Sequence, residues 1–251
     1  MSERRKLSLV STIRERCRVC YTCVRECPAK AIRISNGQAE VVDDRCIGCG
    51  NCVRVCSQRA KRTLSCIEPV RGLLFSGVPT VACLAPSFPA EFDDVRPEIL
   101  VGMIRRLGFA AVHEVGFGAD LVAAEYRRLL AANPEGRYIA TTCPAITSFI
   151  ERFHPALVER LAPVVSPMIA MARWLRARHG PDLRVVFIGP CLAKKEESVA
   201  DQVSGEIDCV LTFSELRCML DEEGIGAHGT EPSDFDPPHS GAGALFPLSR
   251  G

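Results

Sequence analysis

The pattern of apolar and polar positions along the chain changes near residue 78. Ahead of that point, two short segments rich in β-forming residues, 31–35 and 38–42, flank Asn36-Gly37. Asn-Gly between two such segments is a strong short-range signal for a β-hairpin. The connector that follows, 57–76, mixes polar and apolar residues and is predicted to be partly helical.

From residue 78 onward, apolar strands alternate with amphipathic helices. The strands are predicted at 78–85, 111–115, 138–142, 183–189 and 207–212, and the helices at 96–108, 119–132, 146–153, 166–179 and 214–223. Alternation of this kind indicates an α/β domain with a mostly parallel sheet. The last segment, 224–251, is rich in Gly, Pro, Ser and Asp and is typical of loop or of an incomplete second lobe.

Size and composition indicate more than one domain. The chain has 251 residues, 47% of them hydrophobic, and can bury a core well beyond a small metal-held domain, which needs only about 60 residues. We therefore expect a first domain at 1–62, a connector at 63–77 and an α/β domain at 78–251.

Charge and hydropathy exclude several classes of function. The formal net charge is +1 and basic residues occur only in short groups, so nucleic acid is not an expected partner. No apolar stretch approaches the roughly 18 residues of a membrane-spanning helix. The opening MSERRKLSLV lacks the apolar core of an export signal, so we expect a reduced, cytoplasmic and oxygen-sensitive protein from an anaerobic setting.

Eight cysteines in the first quarter of the chain form two copies of one motif. The copies are Cys17-x2-Cys20-x2-Cys23-x3-Cys27 and Cys46-x2-Cys49-x2-Cys52-x3-Cys56, offset by 29 residues throughout. This is the bacterial ferredoxin signature for two 4Fe-4S clusters, in which the last cysteine of each run ligates the other cluster. An α+β ferredoxin-like dicluster domain is therefore expected, with one cluster on Cys17, Cys20, Cys23 and Cys56 and the other on Cys46, Cys49, Cys52 and Cys27.

Two other uses of these cysteines fit less well. Structural zinc takes two separated Cys or Cys/His pairs, whereas an uninterrupted CxxCxxC run is poorly suited to one tetrahedral ion. A disulfide framework needs an oxidising compartment, which nothing in the sequence indicates.

Seven further segments resemble the iron-only hydrogenases and their sensory relatives. They are VACLAPSF, GFGADL, TTCPAITSFIERFHP, SPMIAM, FIGPCLAKKEE, DCVLTFSEL and SGAGALFP. The resemblance implies a hydrogenase-like α/β domain in which Cys143 and Cys191 each give a thiolate to the 4Fe-4S part of the catalytic H-cluster. It also implies two candidate catalytic residues: Lys194, which would hydrogen-bond a cyanide of the diiron unit, and Glu197, which completes the second ligand loop.

Three departures from the family pattern bear on activity. Thr142 stands where the enzymes have a proton-passing cysteine. The acidic relay positions fall on Tyr126 and Leu129, neither of which is a carboxylate that can shuttle protons. The Cys-x3-Cys loop that supplies the last two H-cluster ligands is not reached before Gly251. Three explanations stay open: a fragment of a longer protein, loss of the H-cluster, or substitution by other cysteines.

The remaining cysteines are the candidates for such substitution. They are Cys66, Cys83, Cys209 and Cys218. Free cysteine is among the most buried residue types, so we interpret each as a structural side chain. Cys83, near a predicted strand end, is the best exception.

The leading hypothesis is an iron-sulfur redox protein that passes electrons through two 4Fe-4S clusters to a hydrogenase-like domain, in a sensory or redox-signalling role. Its expected partners are a ferredoxin-like electron carrier or a signalling domain or protein. One alternative is a catalytic hydrogenase that uses molecular hydrogen, with a third 4Fe-4S cluster or an H-cluster in the complete protein. Another alternative is an iron-sulfur assembly or interaction factor.

Overall fold

A computed structural model describes residues 7–248 and shows two regions of different architecture. Residues 1–6 and 249–251 lie outside the described part of the chain. The first of these ranges is part of the opening segment from which no export signal is expected.

The first region is a small α+β unit. Its elements are β1 (Val10–Thr12), α1 (Thr22–Arg25), β2 (Ile32–Ser35), β3 (Gln38–Val41), α2 (Asn51–Arg54) and β4 (Lys61–Thr63). The predicted hairpin is confirmed, because β2 and β3 pair antiparallel with Ser35 opposite Gln38 across Asn36-Gly37. β1 and β4 form a second antiparallel pair.

The 29-residue offset of the cysteine motifs extends to the backbone. α1 and α2 are related by it, and so are β2 and β4. A positive φ occurs at Val19, Tyr21 and Lys30, and again 29 residues later at Gly48, Gly50 and Arg59. The strand β3 corresponds in the same way to β1, so each strand pair combines elements from opposite ends of the repeat. The first region is therefore an internal duplication with approximate twofold symmetry.

The second region is an α/β unit. Its helices are α3 (Ile67–Leu74), α4 (Phe88–Glu91), α5 (Pro97–Arg106), α6 (Val115–Ala132), α7 (Pro144–Phe153), α8 (Pro167–His179), α9 (Lys194–Glu197) and α10 (Phe213–Glu222), and its strands are β5 (Thr80–Leu84), β6 (Ala111–Glu114), β7 (Arg184–Gly189) and β8 (Cys209–Thr212). Proline begins α5, α7 and α8, where its fixed φ suits the first helical turn and its missing N–H removes no hydrogen bond.

The four strands β5 to β8 form one parallel sheet in the order β6-β5-β7-β8. The predicted parallel α/β architecture is confirmed. The predicted strand at 138–142 is wrong: Ile139 makes only an isolated bridge with Leu161. Its apolar side chains pack beside α6 rather than joining the sheet, so the local β pattern has no neighbouring strand to pair with.

The main hydrophobic core lies between this sheet and the helices around it. Every residue of β5 is buried, as expected for a central strand of a parallel sheet. The segment after α10 is irregular apart from a short 3-10 turn at Ala242–Leu245. That turn is held on α6 by the Asp120 carboxylate, which accepts hydrogen bonds from the Gly241 and Gly243 amides. Within residues 7–248, no helix combines the length and apolar character that crossing a bilayer requires.

Candidate metal centres

Two small cavities in the first region are each lined by four cysteines. Cys17, Cys20, Cys23 and Cys56 line the first, and Cys27, Cys46, Cys49 and Cys52 line the second. We refer to them as cavity 1 and cavity 2. The two sets are those that the sequence motif predicts, with the last cysteine of each run pointing to the other half of the duplication.

The backbone supports the thiols symmetrically. The Ala31 amide donates a hydrogen bond to the Cys27 sulfur at 3.2 Å, and the Ala60 amide donates to the Cys56 sulfur at 3.3 Å. Cys20 and Cys49, at equivalent positions of the two loops, are both exposed. Hydrogen bonds to sulfur and solvent exposure are two of the properties that set cluster potentials.

The residues present fit 4Fe-4S clusters. Four convergent thiols with amide donors to sulfur are the donor set of such a cluster. Burial raises the pKa of the Cys52 thiol to about 11 and also raises the pKa of Cys46. Since the ligand is a thiolate, assembly of a cluster here would release protons. In the described residues, no group of three His, Cys, Asp or Glu side chains is placed to hold a single metal ion.

Cys143 and Cys191 lie in the second region, where a larger cavity begins directly after Cys143. Cys143 immediately precedes α7 and is exposed, whereas Cys191 follows β7 and is half-buried. Burial raises the pKa of the Cys191 thiol, and the nearby Cys143 adds to that rise. The cavity of about 520 Å³ is bordered by the start of α7, the Val164–Ser166 segment and α9. The structure therefore brings the two predicted ligand loops together.

The two candidate catalytic residues pair with each other. The Lys194 ammonium donates to the Glu197 carboxylate at 2.6 Å, and Glu197 lines the 520 Å³ cavity. Lys194 and its neighbour Lys195 are both buried. The KKEE segment is therefore not a solvated helix start.

The loop of cavity 2 packs directly against the Cys191 loop. Gly48 has φ +67°, and a Cβ atom there would lie 3.0 Å from the Cα of Ala193. Leu192, next to Cys191, is buried in an apolar cluster that Cys52 contacts. A glycine is required at position 48 because any side chain would push the two loops apart.

Arg152 joins the two regions, a role that no local sequence motif indicates. From α7 it donates hydrogen bonds to the Asp43 and Cys46 carbonyls of the first region. It also forms an ion pair with Glu196 at the edge of the 520 Å³ cavity. One guanidinium thus connects the cavity 2 loop to α9.

A buried ion pair fixes the connector. Lys195 donates to both Glu215 carboxylate oxygens at 2.7 and 2.8 Å and to the Leu64 carbonyl at 2.6 Å. Glu215 also accepts from the Cys66 amide and forms a capping box with Thr212 at the start of α10. Burial alone would raise the pKa of Glu215, but these hydrogen bonds outweigh it and hold the pKa below its usual value.

The four remaining cysteines lie apart from the four-cysteine cavities. Cys83 is fully buried in β5, and burial raises its pKa to about 12. Cys66 and Cys209 contact each other: the Cys209 thiol lies 3.9 Å from the Cys66 carbonyl oxygen, and its interaction with the Cys66 thiol lowers the pKa of Cys66. Cys218 bonds to Glu222, which raises the pKa of Cys218.

Two families match the two regions of the chain. Residues 78–251 match the family described as iron only hydrogenase large subunit, C-terminal domain. Residues 9–57 match the 4Fe-4S dicluster domain family.

Individual relatives agree with these matches. Iron hydrogenase 1 of Clostridium pasteurianum is 29% identical over 213 residues, covering 77% of this chain and 37% of that protein. Cytosolic Fe-S cluster assembly factor NAR1 of Meyerozyma guilliermondii is 27% identical over 157 residues, covering 56% of this chain and 30% of the relative. The chain thus spans about a third of the length of the curated relatives it matches.

Solved structures show the same fold. A variant of FeFe-hydrogenase HydA1 from Chlamydomonas reinhardtii superposes with a TM-score of 0.59 at 25% identity, over 71% of this chain and 53% of that chain.

Proposed function

The chain belongs to the iron-only hydrogenase large-subunit family, and from that premise we propose that it is an electron-transfer protein with a redox-sensing role. Two 4Fe-4S clusters in the first region would relay electrons to the hydrogenase-like region. The proposed division is a cluster domain at 1–62, a connector at 63–77 and a hydrogenase-like domain at 78–251.

The observation that carries this proposal is the pair of cavities with crossed cysteine sets. Cys17, Cys20, Cys23 and Cys56 would hold one cluster, and Cys46, Cys49, Cys52 and Cys27 the other. When bound, each cluster supplies one-electron redox chemistry. The crossing means that neither half of the duplication can complete its site alone, so cluster binding and folding are coupled.

Contacts between the regions support a direction for the electrons. Cavity 2 lies on the side of the second region, where Gly48 touches Ala193 and Leu192 shares an apolar cluster with Cys52. Because electrons tunnel most efficiently over short distances, cavity 2 would face the Cys143–Cys191 site. Cavity 1 would then receive electrons from outside.

The charge of the first region supports a class of external partner. Residues 7–64 contain eleven Lys/Arg and five Asp/Glu side chains. Arg14, Arg16, Arg18 and Arg25 are exposed on either side of Cys17 and Cys20. An electron carrier with an acidic surface, such as an acidic ferredoxin, would be attracted to this face, and the association rate would fall as salt is added.

The relay positions support sensing over catalysis. Tyr126 and Leu129 pack in an apolar cluster with Val122 and Ala162. The Tyr126 hydroxyl accepts a hydrogen bond from the Thr141 amide at 3.1 Å, so it has a structural partner. A proton path through these positions would lack a carboxylate.

A test of the cluster proposal is the iron and acid-labile sulfide content of anaerobically prepared protein, followed by EPR of the reduced form. We expect about eight irons per chain for the two clusters. Cys20→Ala and Cys49→Ala should each lose about four irons, whereas Cys218→Ala, the control, should lose none. A Cys20→Ala or Cys49→Ala protein with its full iron content would contradict the ligand assignment.

The second candidate function is catalysis by a hydrogenase, favoured by the 520 Å³ cavity that begins directly after Cys143 and that Glu197 lines. It predicts that protein matured with the hydrogenase accessory proteins evolves hydrogen from a reduced dye. A related active hydrogenase serves as positive control. An undetectable rate of hydrogen evolution in the matured protein of full natural length would rule out catalysis and leave electron transfer as the remaining proposal.

A further inference from the structure

The two halves of the duplicated first region differ in charge at a buried position beside the metal sites. Lys61, on β4, is 7% exposed, whereas its counterpart 29 residues earlier is Ile32, which is 6% exposed. Both side chains therefore sit at the same depth in the two halves. One is an ammonium and the other is a hydrocarbon.

The surroundings of Lys61 are adapted to its charge. Its Nζ donates a hydrogen bond to the Thr12 hydroxyl at 2.7 Å and to the Ala39 carbonyl at 3.1 Å. The counterparts of Thr12 and Ala39 under the 29-residue offset are Val41 and Val10, which offer no side-chain acceptor. A buried ammonium is stable only with such partners, so this half of the duplication is built around it.

All of these residues except Thr12 line one of the two cavities. Lys61 and Ala39 line cavity 1 together with its four cysteines. Ile32, Val10 and Val41 line cavity 2. The ammonium of Lys61 therefore lines cavity 1, whereas its counterpart at cavity 2 is a hydrocarbon.

Other properties that set cluster potentials are nearly equal in the two halves. The amide-to-sulfur hydrogen bonds are 3.2 and 3.3 Å long, and the loop cysteines Cys20 and Cys49 are both exposed. The Thr22 hydroxyl, 3.4 Å from the Cys20 sulfur, is a weaker asymmetry that acts in the same direction as Lys61. Two cations line cavity 1, Lys61 and Arg18, and their counterparts 29 residues away, Ile32 and Ile47, line cavity 2. Arg18 is exposed, so solvent screens its charge, and Lys61 is the buried charge that distinguishes the two cavities.

We propose that Lys61 makes the two clusters unequal, by raising the reduction potential of the cluster in cavity 1 above that of the cluster in cavity 2. Reduction adds negative charge to a cluster, and a buried cation in low dielectric stabilises that charge. The first electron would therefore rest in cavity 1. This inference rests on the proposed function, since it needs both clusters to be present.

The difference between the two potentials would set a threshold for electron transfer from cavity 1 to cavity 2. With the first electron held in cavity 1, the lower-potential cluster beside the second region is reduced only when the external carrier is strongly reducing. Such a step would suit a redox sensor, because the second region would receive electrons only beyond a set reducing power.

The test is an anaerobic redox titration of the full chain, followed by EPR and protein-film voltammetry, on samples with measured iron content. In the unmodified protein, we expect the two reduced-to-oxidised ratios to differ at least tenfold at one applied potential, a separation of about 59 mV for one-electron couples. Cys20→Ser and Cys49→Ser mark the EPR signal of one cluster each, and the higher potential should belong to the cluster marked by Cys20→Ser.

Four variants separate the charge from other effects. Lys61→Met should lower the higher reduction potential and so reduce the difference between the two cluster potentials. Lys61→Arg should preserve that difference. Ile32→Met, the matched control, should change neither potential. Thr22→Val should leave most of the separation. Equal separation in Lys61→Met and the unmodified protein, or loss of the separation in Thr22→Val alone, would overturn the inference.

A mirror variant covers the case in which Lys61→Met fails to fold or to bind clusters. Ile32→Lys places an ammonium beside cavity 2 and should raise the lower potential, and an unchanged lower potential would overturn the inference. The iron content distinguishes the two proposals. About eight irons with insensitive potentials reject only the role of Lys61, whereas unmodified protein without iron and sulfide rejects the proposed function and this inference together.

Discussion

At the scale of single residues, the thiols of this chain occupy very different environments. Cys83 is buried in the sheet, which raises its pKa to about 12, whereas the interaction with Cys209 lowers the pKa of Cys66. Cys66 lies at the start of α3, half-buried, and near the Lys195 ammonium. Since the thiolate is the reactive form, Cys66 is expected to be the reactive cysteine among those outside the cluster motifs and the Cys143–Cys191 pair.

This difference can be measured by pH-dependent alkylation. With the clusters loaded, labelling of Cys66 by iodoacetamide should reach half its maximal rate at a lower pH than an ordinary thiol does, read by peptide mass spectrometry. Cys209→Ala removes the interaction and should move the midpoint toward the ordinary thiol value of about 8.5. Cys218, whose pKa is raised, is an internal reference that should label only at higher pH. An identical Cys66 profile with and without Cys209 would contradict the assigned cause.

The sequence predicted some of these residues and missed others for a physical reason. The eight motif cysteines follow a local repeat, so their spacing alone indicates how they converge. Lys195 and Glu215 are separated by twenty positions, and Cys66 and Cys209 by 143. Pairs of this kind meet only through the sheet, and a single sequence carries no local signal for them.

At the scale of elements, two glycines in the loop between β3 and α2 have different surroundings. Gly48 is packed too closely to accept a side chain, whereas Gly50 is not. Gly48 and Gly50 both have positive φ, at +67° and +73°. A Cβ at Gly48 would meet Leu9 at 2.8 Å and Ala193 at 3.0 Å, whereas a Cβ at Gly50 meets nothing within 4 Å. The two positions therefore share the backbone strain and differ in the contact between regions.

Alanine at each position separates these effects. Both variants should lose about 1–2 kcal/mol because alanine is strained at positive φ. Gly48→Ala should lose about a further 1–3 kcal/mol through overpacking against Ala193. The midpoint of urea-induced loss of the visible cluster absorbance measures both, because cluster retention is coupled to folding. Equal urea midpoints for Gly48→Ala and Gly50→Ala would show that the cavity 2 loop can move away from the Cys191 loop without a loss of folding free energy.

The join between β8, α9 and α10 depends on the Lys195–Glu215 pair. Glu215→Gln would leave the buried Lys195 ammonium without its counter-charge and should cost about 3–5 kcal/mol. Glu222→Gln, which removes a partner of Arg71 at the surface, should cost much less, because solvent screens that exposed pair. Urea unfolding followed by far-UV circular dichroism gives both values.

The same pair has a defined pH dependence. Because the folded state holds the pKa of Glu215 below its usual value, the carboxylate contributes stability above the pKa of the unfolded chain. That stability is lost as the pH falls through the folded pKa. Glu215→Gln should therefore flatten the acid limb of the stability profile, and an unchanged acid limb would contradict the pairing.

Element boundaries followed from the sequence where the chain supplies its own stop signals. The hairpin at Asn36-Gly37 and the helices that begin at proline were placed within a few residues. The predicted strand at 138–142 failed because a strand needs a neighbour, and Ile139 finds only Leu161. Helix α6 begins at Val115, four residues before the predicted start, directly from the end of β6.

At the scale of the whole molecule, the two regions are held together by different means. The main apolar cluster of the first region contains only seven buried residues, and two of these are the ligand candidates Cys23 and Cys27. The second region has an extended core that includes residues 81–84 of β5 and 185–188 of β7. A small unit with so few apolar contacts needs its metal to fold, whereas the parallel sheet does not.

Removing the iron should therefore unfold one region and spare the other. After treatment with a chelator and an oxidant, then reduction of any disulfides, we expect the amides of the β2–β3 hairpin and of α1 and α2 to lose their protection from hydrogen exchange. The amides of β5, β7 and β8 should keep theirs, because their hydrogen bonds lie in the apolar core of the second region. Hydrogen exchange read by mass spectrometry, with an untreated anaerobic sample as control, resolves the two regions by peptide. If the hairpin stays protected without iron, protein contacts alone are sufficient to fold the first region. These contacts include the hydrogen bonds from Arg152 to the Asp43 and Cys46 carbonyls. The proposed coupling of cluster binding to folding would then be wrong.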